Sequence, residues 1–535
     1  MAIDAERDRD GDSSSRPESV RAAPRPLPPA GRPELRRAVS AVTVALVGVA
    51  GVLRVLAAVG HHGVIYPDET FQMTETAHRV VFGYGIIPWE FADGLRSWIG
   101  PGVLLPPTLV WHLLGLDGLT GMTLVKAWVA LWATVGVGAA VVAARRLAGP
   151  WAGLLAAGLA ALAPLAVVYD VHPLADTVAA PLPVLALALL AAPAAGRRNT
   201  GAAAAAGVLL VAAVALRPQL GVLLLGLAAA TLVGRGRSRT LGLAAGTAAG
   251  VVLVGVLDLA TWGVPFGPEA ASIRFNIVQG GADYYWGTSP ATFYLAHAVT
   301  VLGPVIVALL GLGLVLAVLS GPPRALPSWP VTVSVLAFVG LLSAIGHKEL
   351  RFVVPVLPLA AAMAAVGLAR GATLLARRHR ALGPGVVAVL TVAAVIAGAL
   401  GLRSISMREL GYRNDDRSAW TIDDVTPRLL ARAGTLPGTC GVALLSEYIQ
   451  ASGGYSYLHR DVPLATARSN PEAGDWRRWA NTVVTSSASP PAGYSVVVRI
   501  PGGVVAQRVG PCAPPPPAVR ARILPAPTHR VPGMV

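Results

Sequence analysis

The sequence predicts a polytopic α-helical membrane protein of about eleven transmembrane helices, with a small α+β extracytoplasmic domain at its C-terminus. Three observations predict it. Hydrophobic residues make up 54 % of the 535-residue chain and charged residues only 13 %, with a mean hydropathy of +0.61. A soluble protein carries about 25 % charged residues, so the polar surface for a water-exposed globule is missing. The formal charge of +15 sits in short clusters between apolar runs, as the positive-inside rule describes. No nucleic-acid partner is therefore expected, and membrane lipid is. Finally, the polar, motif-like segments recur on one side of the apolar runs.

Residues 1–38 are rich in Arg, Pro, Ser and Asp and read as a disordered cytoplasmic arm. Arg36 and Arg37, just before the first apolar run, place it inside. Residues 39–402 form the transmembrane domain. Spans are expected at about 40–59, 124–143, 150–168, 177–194, 201–216, 219–233, 240–260, 293–319, 329–345, 353–373 and 383–402. Arg145-Arg146, Arg197-Arg198, Arg235 to Arg239, Arg324 and Arg377 to Arg380 then all lie inside. The apolar stretch 101–116 would reverse that order if it crossed, so it reads as a helix lying in or dipping into the outer face. The first outer loop, 60–100, the segments 169–176, 261–291 and 346–352, the turn at Arg217 and the tail 403–535 all share the outer side. The tail mixes β-like runs (442–446, 495–500) with many Pro and Gly, and it holds both cysteines, Cys440 and Cys512. On an exported domain, an oxidising compartment would allow a bridge between these two, with free buried thiols as the alternative.

The outer segments carry the residues suited to chemistry. Tyr66-Pro67-Asp68-Glu69 opens the first loop, followed by Phe71-Gln72, Glu75, His78, Trp89-Glu90 and Arg96-Ser97. Ionisable groups at membrane depth are costly and default to a functional role; Pro67 and Asp68 would equally suit a helix start. Asp170, His172 and Asp176 form either a second acidic cluster or a polar hairpin, and their spacing is too unspecific for a metal site. Arg217-Pro218 interrupts a long apolar stretch. A guanidinium there needs an anion, either a phosphate, which it matches bidentately, or a carboxylate in a buried ion pair.

Gly346-His347-Lys348-Glu349-Leu350-Arg351-Phe352 is the sharpest segment. Lys126 and Lys348 are the only lysines among 43 Lys and Arg residues, so Lys348 reads as a choice of chemistry, a compact point charge suited to phosphate. The loop 261–291, with Phe275, Asn276, Tyr284, Tyr285 and Trp286, is rich in aromatics. They fit either interfacial anchors or platforms for sugar faces.

Together these motifs resemble a known family. Tyr66-Pro67-Asp68-Glu69 with Phe71-Gln72, Trp89-Glu90 and Arg96-Ser97 is similar to the first luminal loop of the lipid-phosphate-mannose-dependent mannosyltransferases. These include the GPI-anchor and late N-glycan mannosyltransferases. Their pattern there is His-Pro-Asp-Glu, an aromatic-Gln pair, Trp-Glu and Arg-Ser. His347-Lys348-Glu349 with Arg351-Phe352 matches the family's His-Lys-Glu-x-Arg-Phe, and Arg217-Pro218 its Arg-Pro-Thr. Phe275-Asn276 through Tyr284, Trp286-Gly287 and Tyr294, and Gly453 to Pro463, are also similar, so the resemblance runs over roughly 66–463. Tyr66 stands where the family has His, and Gln219 where it has Thr. The Ala, Gly, Pro and Arg content suggests a bacterial member acting at the cell membrane, its active site extracytoplasmic.

The resemblance implies a GT-C glycosyltransferase fold, a polyprenyl-phosphate-mannose donor and a glycolipid or glycan acceptor, with no cofactor. Phosphate leaves as a stable anion, so one carboxylate base suffices and no metal is required. Asp68 is expected to take the acceptor proton and Glu69 to orient it or hold the sugar. Arg217, His347, Lys348 and Arg351 would bind the donor phosphate. Trp89, Glu90, Arg96, Asn276, Tyr284, Tyr285 and Glu349 would bind substrate. Direct displacement predicts inversion at the anomeric carbon. The alternatives are the same fold using polyprenyl-phosphate glucose or arabinose, or a flippase or transporter for lipid-linked sugar. Transporters are commonly built from internal repeats, and the sequence shows none.

Overall fold

The computed structural model describes residues 33–193, 197–319, 326–376, 382–410, 416–420, 424–446, 448–467 and 474–526. Most of the expected N-terminal arm (1–32), Arg324 and the Arg377 to Arg380 cluster lie outside the described residues. Residues 33–38, expected in that arm, already belong to the first helix, Pro33–Gly60. Proline suits a first helical turn, where its missing N–H has no helical partner to lose.

Six described helices are long and apolar enough to cross a membrane: Pro33–Gly60, Gly118–Ala148, Asn199–Leu216, Arg237–Trp262, Leu350–Ala376 and Gly383–Ser404. Other expected spans are present as shorter or broken helices. The span at 150–168 is Pro150–Ala161 plus Pro164–Tyr169, that at 177–194 is Ala175–Ala179 plus Pro181–Leu190, and that at 293–319 is Phe293–Leu302 plus Pro304–Leu319. Each break falls at a proline, which removes an N–H and clashes with the carbonyl one turn back. Gly221–Val233 and Ser328–Ala344 complete the set.

Small residues let these helices approach closely. Gly242, Gly246 and Gly250 lie one turn apart, and a Cβ at each would run into Thr200, Ala204 or Val211 of the helix Arg197–Leu216. This is the small-xxx-small contact by which helices pack without a hydrophobic drive. At the far end, Arg146 and Arg239 each donate a 2.6 Å hydrogen bond to a carbonyl, that of Ala188 and of Ala192. Both basic clusters thus gather at the end of Pro181–Leu190 away from Asp176. The helix Ile99–Leu114 keeps to the opposite side: Gly100 abuts Met73, and Trp111 stacks near His78 and His459.

Strands Ile87–Pro88 (β1), Val442–Leu444 (β2), Leu464–Thr466 (β3), Thr482–Thr485 (β4), Ser495–Ile500 (β5), Gly503–Gln507 (β6) and Ile523–Leu524 (β7) form two sheets. The five-stranded sheet has the order β3-β2-β4-β6-β5, parallel from β3 to β4 and antiparallel beyond. β2 and β4 are buried on both faces, whereas the edge strand β5 alternates with exposed positions. Cys440 and Cys512 are bonded to each other. β1, from the first outer loop, pairs in parallel with β7 at the end of the tail. The tail domain is therefore tied to the loop that carries Asp68.

Candidate functional site

Asp68 begins the site. Pro67 and Asp68 lead into Glu69–Thr74, a π-helical turn, and then the helix Glu75–Phe82. Inserted turns of this kind are frequent at functional sites. Asp68 and Glu69 diverge as a result. The Asp68 side chain keeps 25 % exposure and pairs at 2.7 Å with the guanidinium of Arg351. Glu69 is 2 % exposed and turned inward, accepting hydrogen bonds from the Ile65 N–H at 2.6 Å and from His172 Nδ1 at 2.6 Å. Burial alone would raise the Glu69 carboxyl. The charges of His172 and Lys126 and these hydrogen bonds outweigh it and hold the carboxyl below its ordinary value. Burial holds His172 below its own ordinary value, against the opposing pull of the Glu69 charge.

Arg351 is the hub. Its Nε bonds Glu349, its guanidinium lies 4.2 Å from the Tyr66 ring centroid, and its own side chain is 6 % exposed. Glu349 also accepts from His347 Nε2 at 2.9 Å. Burial works against the Glu349 anion, but the Arg351 charge and then the His347 hydrogen bond prevail and hold its carboxyl at about 2. Tyr66, at the position where the resembled family has His, places its hydroxyl 3.2 Å from that of Tyr169.

The other cations are occupied by protein groups. Pro218 excludes helical geometry at Arg217, which is extended there (φ −146°) and ends the helix before it. The Arg217 guanidinium pairs with the buried Asp176 and lies 5.7 Å from the Phe352 ring. The Lys348 ammonium donates to the carbonyls of Ser289 (2.8 Å), Gly346 (3.3 Å) and Ile345. Lys126 does the same, donating to the carbonyls of Gly63 (2.7 Å) and His61 (3.3 Å). Both lysines therefore gather the ends of loops. Gly346 has no room for a Cβ, which would overlap the Asp283 carboxylate; that carboxylate accepts the His347 N–H at 2.7 Å.

The second half of the outer loop flanks this cluster. Glu90 accepts from Gln72 Nε2 at 2.8 Å and lies 3.7 Å from Arg96. Burial pushes the Glu90 carboxyl up, Arg96 pulls it down, and nearby Asp68 pushes it up again. Trp89 meets Phe275 at 5.3 Å between centroids, Phe275 stacks on Tyr285 at 6.2 Å, and Trp286 lies 6.0 Å from His347. Asn276 turns back to donate to the Ser272 carbonyl at 2.9 Å, and Tyr284 is exposed.

The sequence shows these acids but not their partners: Asp176 lies far along the chain from the Arg217 guanidinium it holds and Asp283 from the His347 N–H it accepts, and Glu75 joins two domains. Fully buried, Glu75 accepts from the N–H groups of Ile86 (2.8 Å), Tyr455 (3.0 Å) and Ser456 (2.8 Å). Among the described residues, no group of three or more His, Cys, Asp or Glu side chains is arranged to hold a metal ion.

A helical membrane domain with a small sheet domain at its C-terminus, enclosing paired acids and cations, defines a multi-pass membrane protein of the GT-C glycosyltransferase fold. Solved structures of ArnT from Cupriavidus metallidurans, bound to undecaprenyl phosphate and in the apo state, match it with TM-scores of 0.58 and 0.59. Identity is 19 % and 17 %, over 88 % of this chain and 99 % and 98 % of those chains.

Residues 46–413 match the Alg9-like mannosyltransferase family, and the chain belongs to that family. GPI mannosyltransferase 3 of Yarrowia lipolytica is 29 % identical over 299 residues, 55 % of this chain and 56 % of that protein. The same-named protein of Trypanosoma brucei brucei is 49 % identical over 51 residues, 10 % of this chain and 9 % of that protein. The chain thus matches little more than half the length of the first relative and a short segment of the second.

Proposed function

We propose that the protein transfers mannose from a polyprenyl-phosphate-mannose donor to a hydroxyl of a cell-envelope glycolipid or glycan, on the extracytoplasmic face and with inversion. The observation that carries this reading is the Asp68–Arg351 pair, which brings a partly exposed carboxylate against the cation of the His-Lys-Glu-x-Arg-Phe segment. In the step, the acceptor oxygen bonds the anomeric carbon as the bond to the phosphate oxygen breaks. Asp68 takes the acceptor proton, and polyprenyl phosphate departs as an anion. Arg351, whose five N–H donors are only partly used by Asp68 and Glu349, receives that phosphate together with His347. Preorganised charge in such a dry setting stabilises developing anions strongly. Arg217 and Lys348 add positive potential while holding their loops, and Glu69 anchors the turn from which Asp68 projects.

The test is product formation by the purified protein in lipid nanodiscs, supplied with polyprenyl-phosphate mannose, glucose or arabinose and envelope glycolipids. Mass spectrometry should find a mannosylated lipid that the Asp68→Asn variant does not make. A product from another sugar alone would move the reading to that donor. Movement of the mannosyl lipid across proteoliposomes without any product would replace it with transport.

A further inference from the structure

Outside the acid and cation cluster lies a cleft of about 350 Å³, within the size range of small-ligand sites. Its walls include Trp89, Phe275 and Tyr285, with Asp93, Arg274 and Gln279 around them. Three rings with hydrogen-bonding side chains between them suit a ligand that has apolar faces and polar edges. A pyranose has both.

The position of the cleft decides which sugar. It lies between two short helices, Trp89–Ala92 and Gly281–Trp286. In the first, Trp89 lines the cleft, while the next residue, Glu90, is buried beside Gln72 and feels the Asp68 charge. In the second, Tyr285 lines the cleft, while Asp283 accepts the His347 N–H and Trp286 lies beside the His347 ring. Both elements thus carry one face in the cleft and the other against the reacting cluster. Ala526, two residues beyond β7, completes the wall, and β7 is held in place by its pairing with β1, immediately before Trp89.

We propose that this cleft is the acceptor subsite: it stacks a saccharide unit of the acceptor on Phe275, Tyr285 and Trp89 and directs a hydroxyl towards Asp68. The tail domain contributes one wall and so takes part in acceptor recognition. This proposal rests on the glycosyl-transfer reading above.

The experiment separates the two. Binding of methyl α-D-mannoside and an α-linked mannose disaccharide is read by saturation-transfer NMR on the full-length protein in nanodiscs, with no turnover needed. Phe275→Ala and Tyr285→Ala should weaken binding and raise the acceptor KM about tenfold, a loss of about 1.4 kcal/mol. Ala271→Trp, which fills the cleft and removes no ring, should abolish the saccharide signal. Unchanged binding and KM in all three variants would overturn the subsite even if mannosyl transfer is intact. Loss of saccharide binding in these variants, in a protein that turns over no donor, would support the subsite while removing the transfer reading.

Discussion

The Asp68 carboxylate stands 2.7 Å from the Arg351 guanidinium, and the same guanidinium bonds Glu349. The proposed base and the proposed phosphate cation are therefore one ion pair before any substrate arrives. A donor phosphate that engages Arg351 competes with Asp68 for its N–H groups. Binding of the leaving group and release of the base are coupled in this arrangement.

Asp68→Asn keeps the shape and removes the base. Transfer should fall by about 10²- to 10⁴-fold, the span of general-base contributions. The melting temperature and polyprenyl-phosphate binding should change little, since Glu349 still holds Arg351. Steady-state transfer rates alongside thermal unfolding of the variant check this; near-normal transfer would exclude Asp68 as base.

Asp176 is fully buried against Arg217. Asp176→Ala leaves a buried cation without its partner and should cost about 3–5 kcal/mol. Joining Arg217→Met to it should recover much of that loss. A thermal-unfolding cycle over the four proteins reads the coupling, and additive losses would mean that the pair contributes nothing of its own.

Two carboxyls give opposite pH dependences. Glu349 is held at about 2, below its ordinary 4.5, so its contribution is present above pH 4.5 and lost as pH falls towards 2. Glu269 is pushed up to about 7 by burial, with Asp258 adding to the shift. The folded state then keeps a proton that the unfolded chain loses, so stability falls as pH rises from 4.5 to 7 and levels above it. Melting curves should lose the acid limb in Glu349→Gln and the slope towards neutrality in Glu269→Gln.

The Cys440–Cys512 bond closes a separation of 72 residues within the tail. Cys440→Ser with Cys512→Ser should destabilise that domain by about 2–5 kcal/mol. Limited proteolysis should cut the tail faster in the variant while the helical domain stays protected. Equal cleavage rates would show that the bond is dispensable.

How much of this was legible depends on the range of the interaction. Apolar runs and proline breaks are local, so the passages at Pro150–Tyr169 and Phe293–Leu319 could be read directly, and their interruptions trace to Pro164 and Pro304. The family motifs were readable for the same reason. The divergence of Asp68 and Glu69 was not, because it follows from a π-helical turn whose winding the residue types do not announce. Nor was the occupancy of Lys348, since its acceptors are carbonyls, which every residue carries.

By itself the sequence determined a multi-pass helical membrane domain and the motifs of its family, because hydropathy acts through composition over tens of residues. The tertiary structure alone decided which polar group answers which. Arg217 meets Asp176, Arg351 meets Asp68, and Glu75 receives the N–H groups of Tyr455 and Ser456. The physical reason is desolvation: each buried charge must find a partner, and only the packing of separate helices determines which partner lies within reach.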